Sequence, residues 1–326
     1  MIKDAYGRVH NYLRISLTDN CNLRCFYCMP EEEYEFTQAS KLMQLEEIEA
    51  LAQLFVREGV DKIRLTGGEP FVRKDAGQII LALSKLPVEL SLTTNGARIH
   101  HFMEILLQAR ISSINISLDT LQAEKFNLIT RRDLFAQVKA NVELLLQHNI
   151  KVKINVVVMK GLNDMEINDF IAWTETARLE IRFIEFMPFA GNRWTSNQVV
   201  SLAEILEQVG TKYEYTALPS GLNDTAKHYQ VPGHTGTFAV ISTMTAPFCS
   251  TCNRMRLTAD GKLKNCLFSK GEMDLLGPLR LGADVLPLIK TCIGSKAKAL
   301  GGQFSGLFEH LEADTIHNRS MITIGG

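Results

Sequence analysis

The sequence predicts an α/β fold: a partial, open parallel β/α barrel of about six βα units, with a C-terminal α+β region closing the barrel mouth. Short runs rich in β-branched and aromatic residues recur, and segments with apolar residues at i, i+3, i+4 and i+7 follow them. Strands that alternate with helices form parallel sheets, and about six units fall short of the roughly eight in a closed barrel. The predicted strands cover residues 12–17, 61–66, 88–94, 113–119, 152–159 and 180–187.

Amphipathic helices are predicted between these strands, for example over residues 45–59 and 134–149. Polar residues collect where the strands end, at 66–69, 93–96, Ser117, Asp119 and Lys160. Because barrel enzymes build their active sites from loops at the carboxyl ends of the strands, the sequence predicts the reactive end of the barrel there.

The alternation of strands and helices stops near residue 211, where turn-forming residues and short β-like runs take over. We therefore predict two regions, a barrel over residues 1–211 and a C-terminal region over residues 212–326. No long flexible linker separates them, so the C-terminal region is predicted to dock on the barrel.

The composition is that of an ordinary globular protein. The 326 residues are 46% hydrophobic, and 35 basic residues nearly balance 36 acidic ones, for a formal charge of −1. This balance argues against a general affinity for nucleic acid or for an anionic membrane surface. The sequence shows neither an apolar run long enough to span a membrane nor the apolar core of a signal peptide near its start. We therefore predict a cytoplasmic protein.

Six of the seven cysteines fall into two sets of three. The first set is Cys21, Cys25 and Cys28, and the second set is Cys249, Cys252 and Cys266. Close spacing in a reducing compartment favours metal ligation over disulfides. Three thiolates can hold a four-iron cluster and leave one iron open to a small molecule. The remaining cysteine, Cys292, is predicted to be a small buried apolar residue.

Zinc is the alternative metal, and a structural zinc site needs four ligands. No cysteine or histidine follows Cys28 closely, which favours a cluster at the first set. The second set would form a zinc ribbon if Cys292 supplied a fourth thiolate, and the spacing alone leaves this alternative open. A zinc-stapled binding module without catalytic activity is the corresponding functional hypothesis.

Arginines near the second set and within the predicted strands indicate an anionic ligand. Arg254 and Arg256 are two residues apart, so in an extended segment they share a face and could accept a polyphosphate. Arg14 and Arg64 lie within predicted strands, where a buried charge without a partner is costly. A bound polyanion would supply that partner.

The first cysteine set resembles the signature of the radical S-adenosylmethionine superfamily, which has an aromatic residue, here Tyr27, before the last cysteine. Two further features occur in order, the GGEP segment at 67–70 and Ser117 in ISLD. The resemblance implies a [4Fe–4S] cluster whose open iron chelates the methionine moiety of S-adenosylmethionine, and cleavage to a 5′-deoxyadenosyl radical that takes a hydrogen atom from the substrate. We attribute the two glycines to close approach of the backbone to the methionine amine.

Further segments narrow the resemblance to the GTP 3′,8-cyclase family of molybdenum cofactor biosynthesis. They are LTTNG, MKGLND, RFIEFMP, CSTCNRMRLTADGKLKNC and the terminal MITIGG, whereas residues 212–235 match poorly. The resemblance implies a second [4Fe–4S] cluster on the second cysteine set, with its open iron at the purine of GTP. It also implies conversion of GTP to 3′,8-cyclo-7,8-dihydro-GTP, by hydrogen abstraction at C3′ and bond formation between C3′ and C8.

The same resemblance assigns roles to individual residues. The candidate contacts of S-adenosylmethionine are Tyr27, Gly68, Ser117 and Met187. The candidate contacts of GTP are Arg14, Arg64, Thr93, Lys160, Arg182, Arg254, Met255 and Arg256. The candidate catalytic residues are the first cysteine set, Arg254, Arg256, Gly325 and Gly326. The two terminal glycines are expected to insert toward the active site and support radical initiation.

The resemblance also implies partners. These are an external one-electron donor and cyclic pyranopterin monophosphate synthase, which would receive the product, and the enzyme is expected to be a monomer or homodimer. An alternative within the superfamily is a peptide-modifying enzyme with an auxiliary cluster. Such enzymes often need additional cysteines, and the pair Arg254 and Arg256 would have no evident role in one.

Overall fold

A computed structural model describes residues 1–29, 34–304, 308–311, 313 and 316–325. The strands are β1 (Tyr12–Ser16), β2 (Lys62–Thr66), β3 (Glu89–Thr94), β4 (Ser113–Ser117), β5 (Lys151–Val158), β6 (Leu179–Glu185), β7 (Thr216–Ala217), β8 (Lys227–Gln230), β9 (Thr237–Ile241), β10 (Arg254–Leu257), β11 (Lys262–Lys264) and β12 (Met273–Asp274). The α-helices are α1 (Leu45–Arg57), α2 (Ala76–Leu83), α3 (Met103–Gln108), α4 (Ala123–Thr130), α5 (Phe135–Gln147), α6 (Ile167–Trp173), α7 (Leu202–Gly210), α8 (Leu276–Arg280), α9 (Leu286–Gly294) and α10 (Met321–Ile324).

All the strands join one open sheet in the order β12-β11-β10-β1-β2-β3-β4-β5-β6-β9-β8-β7. The eight strands from β10 to β9 in that order run parallel, while β7, β8, β11 and β12 continue the two edges antiparallel. The partial parallel barrel is confirmed, and its six predicted strands are β1 to β6. Beyond the prediction, the C-terminal region adds one parallel strand to each edge of those six.

Alternation of side chains along the strands separates the core from the barrel interior. In β5, Val152, Ile154 and Val156 are buried in the main hydrophobic core together with residues of the surrounding helices. Lys153 and Asn155, at the intervening positions, line a cavity inside the barrel. Because successive side chains of a strand point to opposite faces, one strand supplies both the packing and the lining of a site.

The helices cover the outer face of the sheet with apolar stripes. Helix α1 begins at a capping box in which Gln44 and Glu47 each accept a hydrogen bond from the other's backbone N–H. Its buried residues are Ile48, Leu51, Ala52 and Phe55. This i, i+3, i+4, i+7 spacing is the one that predicted the helix. None of the helices in the described ranges is long and apolar enough to cross a membrane.

The two cysteine sets lie at opposite ends of the barrel. Cys21 follows the carboxyl end of β1, whereas Cys252 lies two residues before the amino end of β10. Because β10 pairs with β1 in parallel, with Arg254 opposite Tyr12, the amino end of β10 lies beside the start of β1. The region predicted to close the mouth at the carboxyl ends of the strands therefore brings its cysteines to the other end.

Candidate active site

The first cavity, of about 200 Å³, opens among the loops at the carboxyl ends of the strands. The thiols of Cys21, Cys25 and Cys28 are free and all line it. The four predicted contacts of S-adenosylmethionine also line it: Tyr27, Gly68, Ser117 and Met187. The structure thus brings the first cysteine set and all four of those residues to one cavity.

Gly67 and Gly68 allow two loops to touch. A Cβ atom at Gly67 would lie 2.6 Å from the carbonyl oxygen of Thr18, and one at Gly68 would lie 2.5 Å from that of Asn20. The Gly68 N–H donates to the Thr18 carbonyl over 2.6 Å. These glycines bring the loop after β2 against the chain that leads into the first cysteine set. The neighbour observed here is this backbone, and close approach to the methionine amine stays a prediction.

Glu69 ties the same loop to the loop that follows β3. Its buried carboxylate accepts hydrogen bonds from the Thr94 hydroxyl and the Asn95 N–H, both at 2.7 Å, and from the Phe71 N–H at 3.1 Å. Burial nevertheless raises the pKa of Glu69 to about 7. The side chain of Asn95 then reaches the first set, with its amide 3.7 Å from the Cys21 sulfur.

Asp119 holds Tyr27 in place beside the last cysteine of the first set. The Tyr27 hydroxyl donates to an Asp119 carboxylate oxygen over 2.6 Å, and the Val157 N–H donates to the other oxygen over 2.9 Å. Burial raises the pKa of Asp119 to about 6. Asp119 also lines the first cavity, a role that its position after a strand suggested only in general terms.

The donor set of the first cavity fits a [4Fe–4S] cluster. Burial, with the charge of Glu69, raises the pKa of Cys21 to about 11, and burial, with the neighbouring thiols, raises that of Cys25 well above its ordinary value. Three soft sulfur donors that disfavour one another's ionisation need a cationic partner, and iron–sulfur clusters are bound by such thiolates. The Leu23 N–H, 3.4 Å from the Cys21 sulfur, adds a hydrogen bond of the kind that tunes such clusters.

The second cavity, of about 340 Å³, lies toward the amino ends of the strands. All three thiols of the second cysteine set line it. Its cationic lining residues are Arg14, Lys62, Arg64, Lys153, Arg182, Arg254 and Arg256. Burial lowers the pKa of Arg256 to about 10 and that of Arg64 below its ordinary value, and neighbouring arginines add to both shifts. So many cations in one cavity strongly favour an anionic ligand.

Five of the eight predicted GTP contacts line this second cavity, namely Arg14, Arg64, Arg182, Arg254 and Arg256. Thr93 lines the first cavity instead, with its buried hydroxyl oxygen lacking a hydrogen-bond partner among the described residues. Met255 is buried in the main hydrophobic core. Lys160 lies on the surface, where its ammonium group is 2.9 Å from Glu204. The structure does not bring Lys160 or Met255 to either cavity.

Sequence reasoning missed two cations of the second cavity, Lys62 and Lys153. The signal was available in the period of two along a strand. Lys62 shares a face of β2 with Arg64, and Lys153 shares a face of β5 with Asn155. The segment 212–235 also contributes lining residues at positions 223–226 and 228. Its residue Asn223 accepts a hydrogen bond from Arg254 over 3.4 Å.

The second cysteine set is held by groups that donate to it directly. The ammonium group of Lys296, a side chain only 4% exposed, lies 3.4 Å from the Cys252 sulfur and donates to the Arg254 carbonyl over 3.0 Å. The Leu300 N–H lies 3.4 Å from the Cys249 sulfur. Lys296 and the nearby Arg254 hold the pKa of Cys252 below its ordinary value despite burial. This donor set also fits an iron–sulfur cluster.

A buried ion pair near the N-terminus braces the loop of Cys249. The Arg8 guanidinium donates to the Cys249 carbonyl over 2.7 Å and also contacts the Asp4 carboxylate, to which His10 is hydrogen-bonded over 3.0 Å. Burial and the charge of Lys296 lower the pKa of His10 to about 4. Residues before β1 thus position the second cysteine set.

Cys292 is not grouped with the second set. It lies in α9, is buried in the main core, and its thiol donates to the Leu263 carbonyl over 3.5 Å. The prediction of a small buried residue is confirmed, and the zinc ribbon with Cys292 as fourth ligand is wrong. Within the described ranges, no group of three or more Cys, His, Asp or Glu side chains converges on the position of a single metal ion, as a zinc site would require.

The two cavities adjoin inside the barrel. Asn155, Ile184, Met187 and Met321 line both of them. A small molecule bound beside the first cysteine set and another bound beside the second would therefore meet at these four residues. This arrangement allows a reactive species formed in one cavity to reach a substrate held in the other.

The C-terminal segment enters the barrel at this junction. Arg319 anchors it through the carboxylates of Asp260, at 2.8 Å, and Glu272, at 2.6 Å. Helix α10 follows, and the carbonyl of Gly325 accepts a hydrogen bond from Arg256. Insertion of Gly325 is as predicted, and the prediction for Gly326 falls outside the described residues.

Comparison with known proteins finds two family profiles on the chain. Residues 15–174 match the Radical SAM superfamily, and residues 179–300 match Molybdenum Cofactor Synthesis C. The chain is 45% identical to molybdenum cofactor biosynthesis protein 1 of Mus musculus over 331 residues, which covers 99% of this chain and 51% of that protein. The chain thus spans about half the length of the first curated relatives it matches.

Two relatives are covered over most of their length. The mitochondrial GTP 3′,8-cyclase of Arabidopsis thaliana is 44% identical, with 100% of this chain and 84% of that protein covered. The GTP 3′,8-cyclase of Peptoclostridium acidaminophilum is 40% identical, with 100% of this chain and 98% of that protein covered. Among solved structures, Streptococcus suis SuiB bound to S-adenosylmethionine aligns with a TM-score of 0.63 at 17% identity, over 89% of this chain and 69% of that chain. The structural likeness supports the fold.

Proposed function

We propose that this chain, which belongs to the GTP 3′,8-cyclase family of the radical S-adenosylmethionine superfamily, converts GTP to 3′,8-cyclo-7,8-dihydro-GTP. The observation that carries the proposal is the pair of adjoining cavities, each lined by three free thiols. The second cavity is also lined by seven cationic side chains. One cavity suits a radical generator, and the other suits a nucleoside triphosphate.

The cofactors follow from the superfamily and the two donor sets. An iron–sulfur cluster on Cys21, Cys25 and Cys28, with S-adenosylmethionine, supplies the one-electron chemistry that abstracts hydrogen from C3′ of the ribose. We extend the proposal to a second [4Fe–4S] cluster on the second cysteine set. In the substrate, the C3′ radical then forms a bond to C8 of guanine, and one electron and one proton complete the product.

The chain's own residues bind and separate the two small molecules. Tyr27, fixed by Asp119, and Gly68 form walls of the first cavity around S-adenosylmethionine. The cations of the second cavity bind the triphosphate, because bidentate guanidinium groups match phosphate oxygens. Met187 and Met321, at the junction, keep apolar surface around the reacting atoms and exclude water.

Further parts of the proposal rest on the family. These are an external one-electron donor, transfer of the product to cyclic pyranopterin monophosphate synthase, and a cytoplasmic location. They stay predictions, as does the division of the chain at residue 211.

The test is isotope transfer from the substrate. Anaerobically reconstituted protein, given a strong reductant, S-adenosylmethionine and GTP deuterated at C3′, should release 5′-deoxyadenosine that carries deuterium. Deoxyadenosine formed without deuterium would rule out abstraction at C3′. Iron and sulfide counts should give about eight of each, and replacing either cysteine set by alanine should remove half. A peptide-modifying enzyme would bind no GTP.

A further inference from the structure

Tyr12 occupies a central position among the cations of the second cavity. It is the first residue of β1, opposite Arg254 of β10 on one side and Lys62 of β2 on the other. The Lys62 ammonium lies 5.5 Å from its ring centroid, and the guanidinium carbons of Arg64 and Arg254 lie 5.7 and 5.9 Å away. The face of an aromatic ring attracts cations at such distances. The ring therefore helps to gather three cations around one point.

The hydroxyl group of Tyr12 is buried without a hydrogen-bond partner among the described residues. The residue is only 7% exposed, and it lines the second cavity. A buried hydroxyl that makes no hydrogen bond is costly, and such groups in native proteins usually meet a ligand or water. The Tyr12 hydroxyl can therefore donate a hydrogen bond, but no neighbouring side chain among the described residues accepts it.

The surroundings define the chemistry of the missing acceptor. Burial acts to raise the pKa of Tyr12, but the charges of Arg64, Arg14 and Arg254 outweigh it and leave that pKa below its ordinary value. A phenol whose pKa is lowered by cations is a stronger donor, and the same cations attract an anion. A phosphate oxygen can accept from the hydroxyl and contact the cations at once.

We propose that Tyr12 binds the substrate by donating a hydrogen bond from its hydroxyl group to an oxygen of the phosphate chain. This inference rests on the proposed function, because it takes the second cavity as the triphosphate site. It adds an uncharged donor beside the seven cations of the second cavity. Its role is binding and positioning, since nothing places it near the ribose.

The substitution Tyr12→Phe tests the inference, because it removes one oxygen atom and keeps the ring that the cations surround. Binding is measured by anaerobic equilibrium dialysis on the protein with both clusters, first with GTP and then with inorganic triphosphate as competitor. We expect Tyr12→Phe to lower the affinity for both ligands about tenfold, which is the usual effect of losing a hydrogen bond to a charged group. Tyr229→Phe is the matched control, since Tyr229 is buried to a similar degree but lines neither cavity.

Stability without ligand gives a second readout. Removing a buried hydroxyl that lacks a partner should not lower the thermal midpoint of the ligand-free protein, whereas the midpoint shift caused by GTP should shrink. Unchanged affinity for both ligands in Tyr12→Phe would overturn the inference. Weakened binding of GTP with unchanged binding of inorganic triphosphate would indicate that Tyr12 contacts the nucleoside, and this would overturn the assignment to a phosphate oxygen. If the unmodified protein binds neither ligand, the proposed function itself fails.

Discussion

The guanidinium group of Arg256 donates a hydrogen bond to the main-chain carbonyl of Gly325. Arg256 belongs to β10 and lines the second cavity, while Gly325 is the last described residue of the chain. The contact joins the C-terminal segment to a predicted GTP contact. The position of that segment should therefore affect how the substrate is held.

The first prediction concerns Gly325→Ala. At φ +82°, a Cβ atom there would lie 2.7 Å from the Thr66 hydroxyl oxygen and 2.9 Å from the Ser16 Cβ, so the segment must move. We expect at least about a tenfold loss of product formation, because small displacements in an active site are costly. Iron content should stay unchanged.

Gly233→Ala is the control for backbone strain. Gly233 has φ +84°, and a Cβ atom there would meet nothing within 4 Å. Equal losses of activity in the two variants would show that strain alone, without displacement of the C-terminal segment, explains the effect.

The second prediction concerns the anchor of the C-terminal segment. Arg319→Gln removes the contacts to Asp260 and Glu272, so the segment after it should leave the barrel more often. Faster removal of the last residues by carboxypeptidase, followed by mass spectrometry, is the expected result. The free energy of unfolding should change little, because exposed or half-buried ion pairs contribute about 1 kcal/mol or less.

Lys262→Gln is the matched control for Arg319. Lys262 contacts the same two carboxylates, Glu272 at 3.0 Å and Asp260 at 3.8 Å, but belongs to β11. Protection of the segment should persist in this variant. Equal digestion of Arg319→Gln and the unmodified protein would contradict an anchoring role.

The third prediction concerns the cluster on the second cysteine set. Lys296→Met removes a positive charge and a hydrogen bond to the Cys252 sulfur, both of which favour the reduced cluster. We expect the reduction potential of that cluster to become more negative. The measurement is a redox titration followed by electron paramagnetic resonance, in a background where the first cysteine set is alanine.

Lys298→Met serves as the comparison for Lys296→Met. Lys298 lies two residues after Lys296 and its side chain is exposed, so this variant removes the same charge without touching Cys252. In this variant, the reduction potential of the cluster on the second cysteine set should stay close to its value in the parent protein. A shift of equal size in both variants would mean that general charge, and not the contact with Cys252, sets the potential.

The fourth prediction concerns pH and Glu69. Burial raises the pKa of this carboxyl from 4.5 to about 7 in the folded protein, so folding favours its protonated form. The stabilisation is complete below pH 4.5 and is lost as the pH rises through 7. Between those limits, the unmodified protein should lose about 3 kcal/mol of unfolding free energy relative to Glu69→Gln.

Urea denaturation of both proteins at several pH values between those limits measures this difference. The stability of Glu69→Gln should not follow this pH dependence, because glutamine has no carboxyl proton to lose between pH 4.5 and 7. A stability difference that does not vary with pH would show that Glu69 does not titrate in this range.

Much of the barrel and of the first cavity was predictable from local pattern. The β1 to β6 strands and the first cysteine set follow from period-two and period-3.6 patterns and from short spacings, which are properties of neighbouring residues. Lys160 shows the limit of that reasoning, since it follows a strand but pairs with Glu204 on the surface. Lys153 was missed, because Lys151 and Lys153 alternate with apolar residues as they also would on a strand face turned to water, and this pattern does not show that the face looks into the barrel.

The sequence by itself determined the donors: two sets of three thiols, the arginines, and the glycines that permit close contact. Only the tertiary structure decided how they meet. Because β10 pairs with β1 in parallel, with Arg256 opposite Arg14, the second set comes to the far end of the barrel from the first, with the cations between them. Such pairing joins residues some 240 positions apart, and its energy comes from long-range burial that no local pattern contains.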